Sequence, residues 1–462
     1  MSSGCERTRD TNESGAVEKI GSWKQGKKRQ RQCFDAEAAL AYLGHLQYTD
    51  QAVFWRHSVN EEGKLEHLFW CDGASQKDYA VFGDVLAFDT TYRKNKYMSP
   101  LVLFSGVNHH NQTTVFASAF VADETEETYV WLLEQFLVAM GGKTPVSVIT
   151  EDNVPMRSAI RRIFPNAYHR LCAFHLLRNA KAIVKNERFT AEFKKFMFDD
   201  YEVGEFELRW DEMVQEFGVQ DNSWVREMWE KRKMWATAHI RGFFFAENRT
   251  TSRCKGLRSV LVKFVDSHND LTEFLQYYMK FLDYMRHKEL EADFKSWNGE
   301  PVCITPLKKL EKSASKVFTR EIYLLFRPVL MEGCSVSVVD CQETTMFSIY
   351  VVQKYLVIGK EWRVSFFPST SELKCSCLKM ESLGIPCDHI VGVMKYLHMT
   401  EMPKSLVLDR WAKNTKGSLV TLCGVCKAAG HCLRSCPAQM NKDNMALDND
   451  DDDEDDDDYR FL

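Results

Sequence analysis

No stretch of this chain approaches the roughly 18 uninterrupted apolar residues that would cross a bilayer. The N-terminus MSSGCERTRDTNESGAVEKIG is polar and lacks the apolar core of a secretory signal. Both absences predict a protein of the cytosolic or nuclear side with no membrane partner. A strong charge of either sign is also missing from the body. The formal charge of −5 comes from ten acids between Asp448 and Asp458; with those and Arg460 set aside, 59 basic residues face 55 acidic ones, near +4. Such a body is compatible with nucleic acid without requiring it. Cysteine, by contrast, is plentiful: there are 15, clustered with histidines, which in an intracellular chain favours metal over disulfides. With 45% hydrophobic residues in 462, the chain can bury a large core shared among several domains.

Hydrophobic periodicity divides the chain. Residues 1–33 show none and read as a disordered leader, whose basic cluster Lys24, Lys27, Lys28, Arg29 and Arg31 suits nuclear import or a phosphate contact. A pre-core segment, 34–80, precedes a change of pattern at 81–184. There Val85–Tyr92 reads as a buried strand with hairpin neighbours Ser99–Val107 and Thr114–Val121. A helix at Glu127–Met140, a strand at Val146–Thr150, a helix at Met156–Ile163, and a strand at His169–Ala173 leading into another helix follow. Three strands and then alternating helices and strands is the order of a ribonuclease-H-like α/β core. Residues 185 to about 290 carry large apolar residues, mostly aromatic, at helical spacing (Phe206, Trp210, Met213, Phe217, and Phe274 to Met285), read as the core of a helical insertion domain over 185–330. Residues 331–400 are β-rich and lead into a cysteine cluster, 401–440 hold a linker and a second cluster, and 441–462 form an acidic tail that cannot pack.

Zinc favours four tetrahedral Cys or His ligands, and a gap of one or two residues lets one turn present two of them. Cys375 and Cys377, then Cys387 and His389, make two such pairs, with Gly384 and Pro386 ready for the turn between them and a short helix over Ile390–Leu397 to carry His389. Cys423, Cys426, His431 and Cys436 have the spacing of a CCHC knuckle, Gly430 supplying backbone freedom before the histidine. Cys432 reads as a bystander. Four protein ligands close each site to an activated water, so both are expected to hold structural Zn²⁺ that supports recognition. The knuckle has no aromatic residue between its ligands, which favours a protein partner over stacked bases. Cys5, Cys33, Cys71, Cys303, Cys334 and Cys341 are read as plain thiols.

The segment FGDVLAFDTTYRKNKYMSPLVLFSGVNHHNQTTVFASAFVADETEETYVWLLEQF, followed by HRLCAFHLLRNA, resembles the transposase domain of Mutator-like elements. Together with a SWIM-like finger over Cys375 to His389 and the segment MPKSLVLDRWAKNT, the resemblance is to the plant far-red-impaired-response family, regulators derived from such transposases, and covers roughly residues 34 to 437. It implies a site in which three carboxylates hold two divalent ions. Asp89 in FDTTY matches the first acid; Glu151 in ITEDNVPM, where the family shows ITDQ, matches the second, with Asp152 turned the other way if the strand continues. The third acid falls in a family segment like TTQRCEGMN. Here TTSRCKGLR places Lys255 at the acid and Arg258 at the asparagine. An ammonium cannot ligate a cation, so the resemblance implies a vestigial site that does not cut DNA. Two basic residues there also reverse the local field, which makes Lys255 and Arg258 candidates to hold a DNA backbone, the alternative being a drifted, solvated helix surface. Cys172 and His175 match a Cys/His pair of these transposases and are a further candidate for metal.

The implied function is a nuclear, catalytically inactive regulator of transcription that contacts DNA, other regulators or family members, or pairs with itself. Full members carry an N-terminal zinc-binding DNA reader, and its cysteine and histidine pattern is not matched ahead of residue 34. Two other readings follow from the residues. An active transposase needs a third acid elsewhere, at Glu247 or Glu273. A single-stranded nucleic-acid binder would act through the knuckle.

Overall fold

The computed structural model describes residues 35–92, 100–246, 252–266, 268–299, 301–357 and 359–416. Helix α1 (35–49) leads into β1 (Phe54–Val59), β2 (Leu65–Cys71), α2 (Gly73–Phe82), β3 (Val85–Tyr92), β4 (Leu101–Val107) and β5 (Thr113–Phe120). Then α3 (Glu126–Ala139), β6 (Ser147–Thr150), α4 (Val154–Ile163), β7 (Tyr168–Leu171) and α5 (Ala173–Val184) complete a sheet in the order β1-β2-β5-β4-β3-β6-β7. The first five strands of that order pair antiparallel, whereas β3, β6 and β7 run parallel. The strand and helix limits expected from periodicity fall within two residues of these. Strands β1 and β2, ahead of residue 81, extend the same sheet, because β2 pairs with β5.

Strand alternation sends neighbouring residues to opposite faces, and two apolar clusters record it. Phe69, Leu86, Phe88, Val102 and Phe104 pack under α2, α3 and α4. Leu68, Trp70, Leu101, Leu103 and Val115 meet α1, α10 (Ser252–Leu261) and α11 (Leu271–Asn298) on the other face. Three of these helices begin on a side-chain cap: Thr125 accepts from the Thr128 N–H, Asn153 from the Met156 N–H, and Asp270 forms a capping box with Glu273.

Among the described residues, the helices between 185 and 330 contribute to three apolar clusters. Helices α6 (Glu187–Phe198), α7 (Val203–Glu216), α8 (Ser223–Glu230) and α9 (Thr237–Ile240) enclose an aromatic cluster of their own, with Phe193, Phe206, Trp210 and Trp235 fully or nearly buried. Phe206, Trp210 and Met213 are core residues as their spacing suggested. Helices α10 and α11 instead lie on the sheet, and α12 (Lys308–Val317) and α13 (Arg320–Gly333) pack with the C-terminal zinc-type unit. The physical reason is partnership: an amphipathic stripe is satisfied by any apolar face, and helical spacing does not say which.

That unit is a four-stranded antiparallel sheet, β11-β10-β9-β8, made of β8 (Val336–Glu343), β9 (Ser348–Lys354), β10 (Trp362–Phe367) and β11 (Glu372–Cys375), closed by α14 (Lys379–Leu383) and α15 (Asp388–Tyr396). Gly333 and Gly392 allow α13, α15 and β8 to approach closely. A Cβ on Gly392 would stand 2.4 Å from a Val336 methyl, and one on Gly333 2.3 Å from a Val391 methyl.

Candidate functional site

The first site is built where β11 ends. Cys375 is its last residue, Cys377 follows in the turn, Cys387 caps α15 and His389 lies in that helix's first turn. Leu378 at φ +55° and Gly384 at φ +74° bracket α14 in the left-handed region, so the chain reverses tightly enough to bring the pairs together. All four side chains are buried and their ligand atoms lie within 4.8 Å of one another. Cys375 Sγ is 3.6 Å from His389 Nδ1. Backbone N–H groups of Cys377 and Ile390 donate to Cys375 Sγ and Cys387 Sγ at 3.5 and 3.4 Å, which favours thiolates. Trp362 stacks on the His389 ring with centroids 4.1 Å apart, and the far ring nitrogen faces Asp388 at 3.9 Å. Three thiols and one imidazole, buried and oriented by outer partners, fit tetrahedral zinc.

The segment after the finger fastens it to the large sheet. Arg410 pairs with Asp84, just before β3, and donates to the Val107 carbonyl at 2.6 Å. Trp411 is fully buried and donates to the Leu383 carbonyl at 3.2 Å. One apolar cluster joins Val85, Ala87, Val107 and Ile149 of the sheet to Cys375, Cys377 and Cys387. Sequence reasoning passed over Arg410; an arginine beside a tryptophan in a polar stretch was its one signal.

The second site lies at the carboxyl ends of β3 and β6. Asp89 is near the end of β3 and fully buried, Glu151 follows β6, and His175 sits in the first turn of α5. Their ligand atoms lie within 4.8 Å of one another. Cys172, paired with His175 in the sequence, instead packs into the apolar cluster between sheet and finger. Strand β6 stops at Thr150, and Asp152 turns to Arg157 at 3.2 Å and Lys231 at 2.6 Å.

Helix α10 decides the character of this pocket. Leu257 and Leu261 seat it against the sheet, which brings Arg258 over the acids. Its Nη2 is 3.1 Å from Asp89 Oδ2, with 18% and 0% of the two side chains exposed. Glu151 is pushed up to about 7 by burial and by the charges of Asp89 and Glu124, against the pull of Arg178 and Arg258. A fixed monovalent cation therefore stands against the first acid, inside the donor set that a divalent ion would use. Lys255 lies one turn earlier on α10.

Glu273, the alternative third acid, has its carboxylate in the α11 cap, accepting from the Asp270 N–H at 3.1 Å. Glu247, the knuckle ligands Cys423, Cys426, His431 and Cys436, the basic leader and the acidic tail lie outside the described residues. No helix among the described residues is long and apolar enough to cross a membrane.

Residues 85–179 match the MULE transposase domain and residues 350–398 the SWIM zinc finger. The chain is similar to the Arabidopsis thaliana protein FAR1-RELATED SEQUENCE 5, 31% identical over 391 residues that cover 84% of this chain and 50% of that one. Similarity to FAR-RED IMPAIRED RESPONSE 1 of the same plant is 30% over 399 residues, covering 84% and 47%. FAR1-RELATED SEQUENCE 9 is 30% identical over 361 residues, covering 77% and 66%. The chain thus spans about half the length of the first two relatives.

Proposed function

Because the chain belongs to the plant FAR1-related family, derived from MULE transposases and carrying a SWIM zinc finger, we propose that it is a nuclear regulator of transcription whose transposase core no longer cuts DNA. The observation that carries this reading is Arg258 on Asp89 at 3.1 Å. Two-metal phosphoryl chemistry needs carboxylates free to hold divalent ions; here a guanidinium neutralises one of them. Arg258 is thereby held against Asp89, and Lys255 and Arg258 remain the basic candidates for a phosphate.

The order β5-β4-β3-β6-β7, with three antiparallel strands followed by two parallel ones, supports a ribonuclease-H-like core over 81–184. Cys375, Cys377, Cys387 and His389 hold one Zn²⁺, and Cys423, Cys426, His431 and Cys436 hold another. Zinc there shapes surface for DNA or protein and supplies no reaction. Partners are DNA, other regulators and further family members.

The test has two arms. Purified chain is incubated with DNA and Mg²⁺ or Mn²⁺, and its chromatin occupancy is mapped in plant nuclei beside Cys387→Ser and Asp89→Asn. Expected are no strand cleavage, occupancy lost in Cys387→Ser, and occupancy kept in Asp89→Asn. Metal-dependent cleavage abolished by Asp89→Ala overturns the inactive reading; absence of nuclear occupancy overturns the regulatory one.

A further inference from the structure

The hairpin turn between β4 and β5 places two adjacent histidines away from both sites above. Its geometry is fixed: the Asn108 side chain accepts from the N–H groups of His110 and Gln112 at 3.0 and 2.9 Å, and Asn111 takes φ +56°. Phe82 stacks in parallel on the His109 ring at 5.6 Å, and Thr319 donates to the His109 carbonyl at 2.6 Å. Both rings are buried, with 2% and 0% of the side chains exposed.

Their ring nitrogens divide into an inner and an outer set. His109 Nε2 and His110 Nε2 converge on one oxygen of Asp293 in α11, at 2.9 and 2.8 Å. His109 Nδ1 faces Glu289 at 3.5 Å, and His110 Nδ1 faces Glu321 of α13 at 3.0 Å. A carboxylate behind Nδ1 with Nε2 turned to a shared point is how proteins hold histidine for metal. Three carboxylates surround the two rings, and Lys416 pairs with only one of them, Glu289, at 2.6 Å. Donor atoms around a tetrahedral zinc with bonds of about 2.0 Å stand roughly 3.3 Å apart, so each of the two Asp293 contacts would lengthen by about half an ångström around an ion, and the three donor atoms already lie within 4.8 Å of one another.

We propose that His109, His110 and Asp293 form a binding site for a divalent transition ion of the zinc class. Two imidazoles and one carboxylate suit such an ion better than Mg²⁺. Asp293 keeps 31% of its side chain exposed, which leaves a path for water or its second oxygen as fourth ligand. The ion fastens the hairpin to α11 and, through Glu321, to α13, the helix against which the finger packs. This site is independent of the DNA-related reading above.

The full chain, stripped of metal and refilled with Zn²⁺ or Co²⁺, tests it by stoichiometry. Wild type should hold one equivalent more than Asp293→Asn, and Asp89→Asn as many as wild type, which separates this cluster from the acidic pocket. Glu321→Gln should keep the equivalent with affinity about 10- to 100-fold weaker. Wild type also answers without any variant: one bound Co²⁺ should add d–d absorption with no thiolate-to-cobalt charge transfer. Charge transfer with every bound Co²⁺, or equal stoichiometry in wild type and Asp293→Asn, overturns the site and leaves a metal-free clasp of histidines and carboxylates.

Discussion

Replacing Arg258 with leucine isolates the interaction that defines the acidic pocket. Asp89 is wholly buried and 3.1 Å from the guanidinium; at an effective dielectric near 20 the attraction is about 5 kcal/mol before desolvation. Removing one partner of a buried pair typically costs about 3–5 kcal/mol, because the remaining charge has no counterpart. Arg258 is itself 18% exposed, and the acids can share a proton, so about 3 kcal/mol is expected at pH 8. Asp89→Asn in the same chain should recover most of that loss, a coupling of about 2 kcal/mol in a double-mutant cycle. Hydrogen exchange at the amides of β3 and β6 reads the local opening free energy directly, which suits a chain with several units better than a single unfolding midpoint. Mn²⁺ should restore protection to Arg258→Leu by replacing the lost cation, while leaving wild type unchanged. A penalty below about 0.5 kcal/mol, or the same Mn²⁺ response in both proteins, would refute the view that Arg258 is the counter-charge of this pocket.

Zinc removal by chelation, or Cys387→Ser, should abolish exchange protection across β8 to α15, since structural zinc supplies about 10 kcal/mol or more in small modules; unchanged protection after chelation would contradict a structural role. Gly392→Ala is informative because helix propensity alone favours alanine by about 1 kcal/mol. The contact of 2.4 Å with Val336 should override that and destabilise the unit by about 1–2 kcal/mol, read by thermal unfolding. Glu311 is drawn below its ordinary 4.5, burial being outweighed by hydrogen bonds from Thr305, Tyr323 and the Ile304 N–H. A depressed carboxylate stabilises the fold above its unfolded pKa and loses that contribution as pH falls through the folded one. Glu311→Gln should therefore cost about 1–3 kcal/mol at pH 7, and urea unfolding should find the difference shrinking as pH falls below 4.5; a pH-independent difference would exclude ionisation as the source.

Much of this protein could be read along the chain because the relevant signals are local. Strands β3 to β7 announced themselves by period and by turns, and the finger by Cys and His pairs at spacings one turn can satisfy. Asp89 and Glu151, which the fold brings together, were legible through their motifs. Interactions between distant segments carry no such signature. Arg258 and Asp89 are 169 residues apart in the chain, and nothing near either residue says that α10 will lie across β3. That follows from Leu257 and Leu261 finding the sheet. The same holds for His110 with Asp293 and Glu321, for Arg410 with Asp84, and for the scattering of the 185–330 helices among three clusters. Sequence alone pointed to a zinc-type finger and to a lysine, Lys255, where the resemblance leads one to expect an acid. Tertiary packing decided that Arg258 meets Asp89, because an apolar helix face specifies that it must be buried and leaves to the assembled surfaces where.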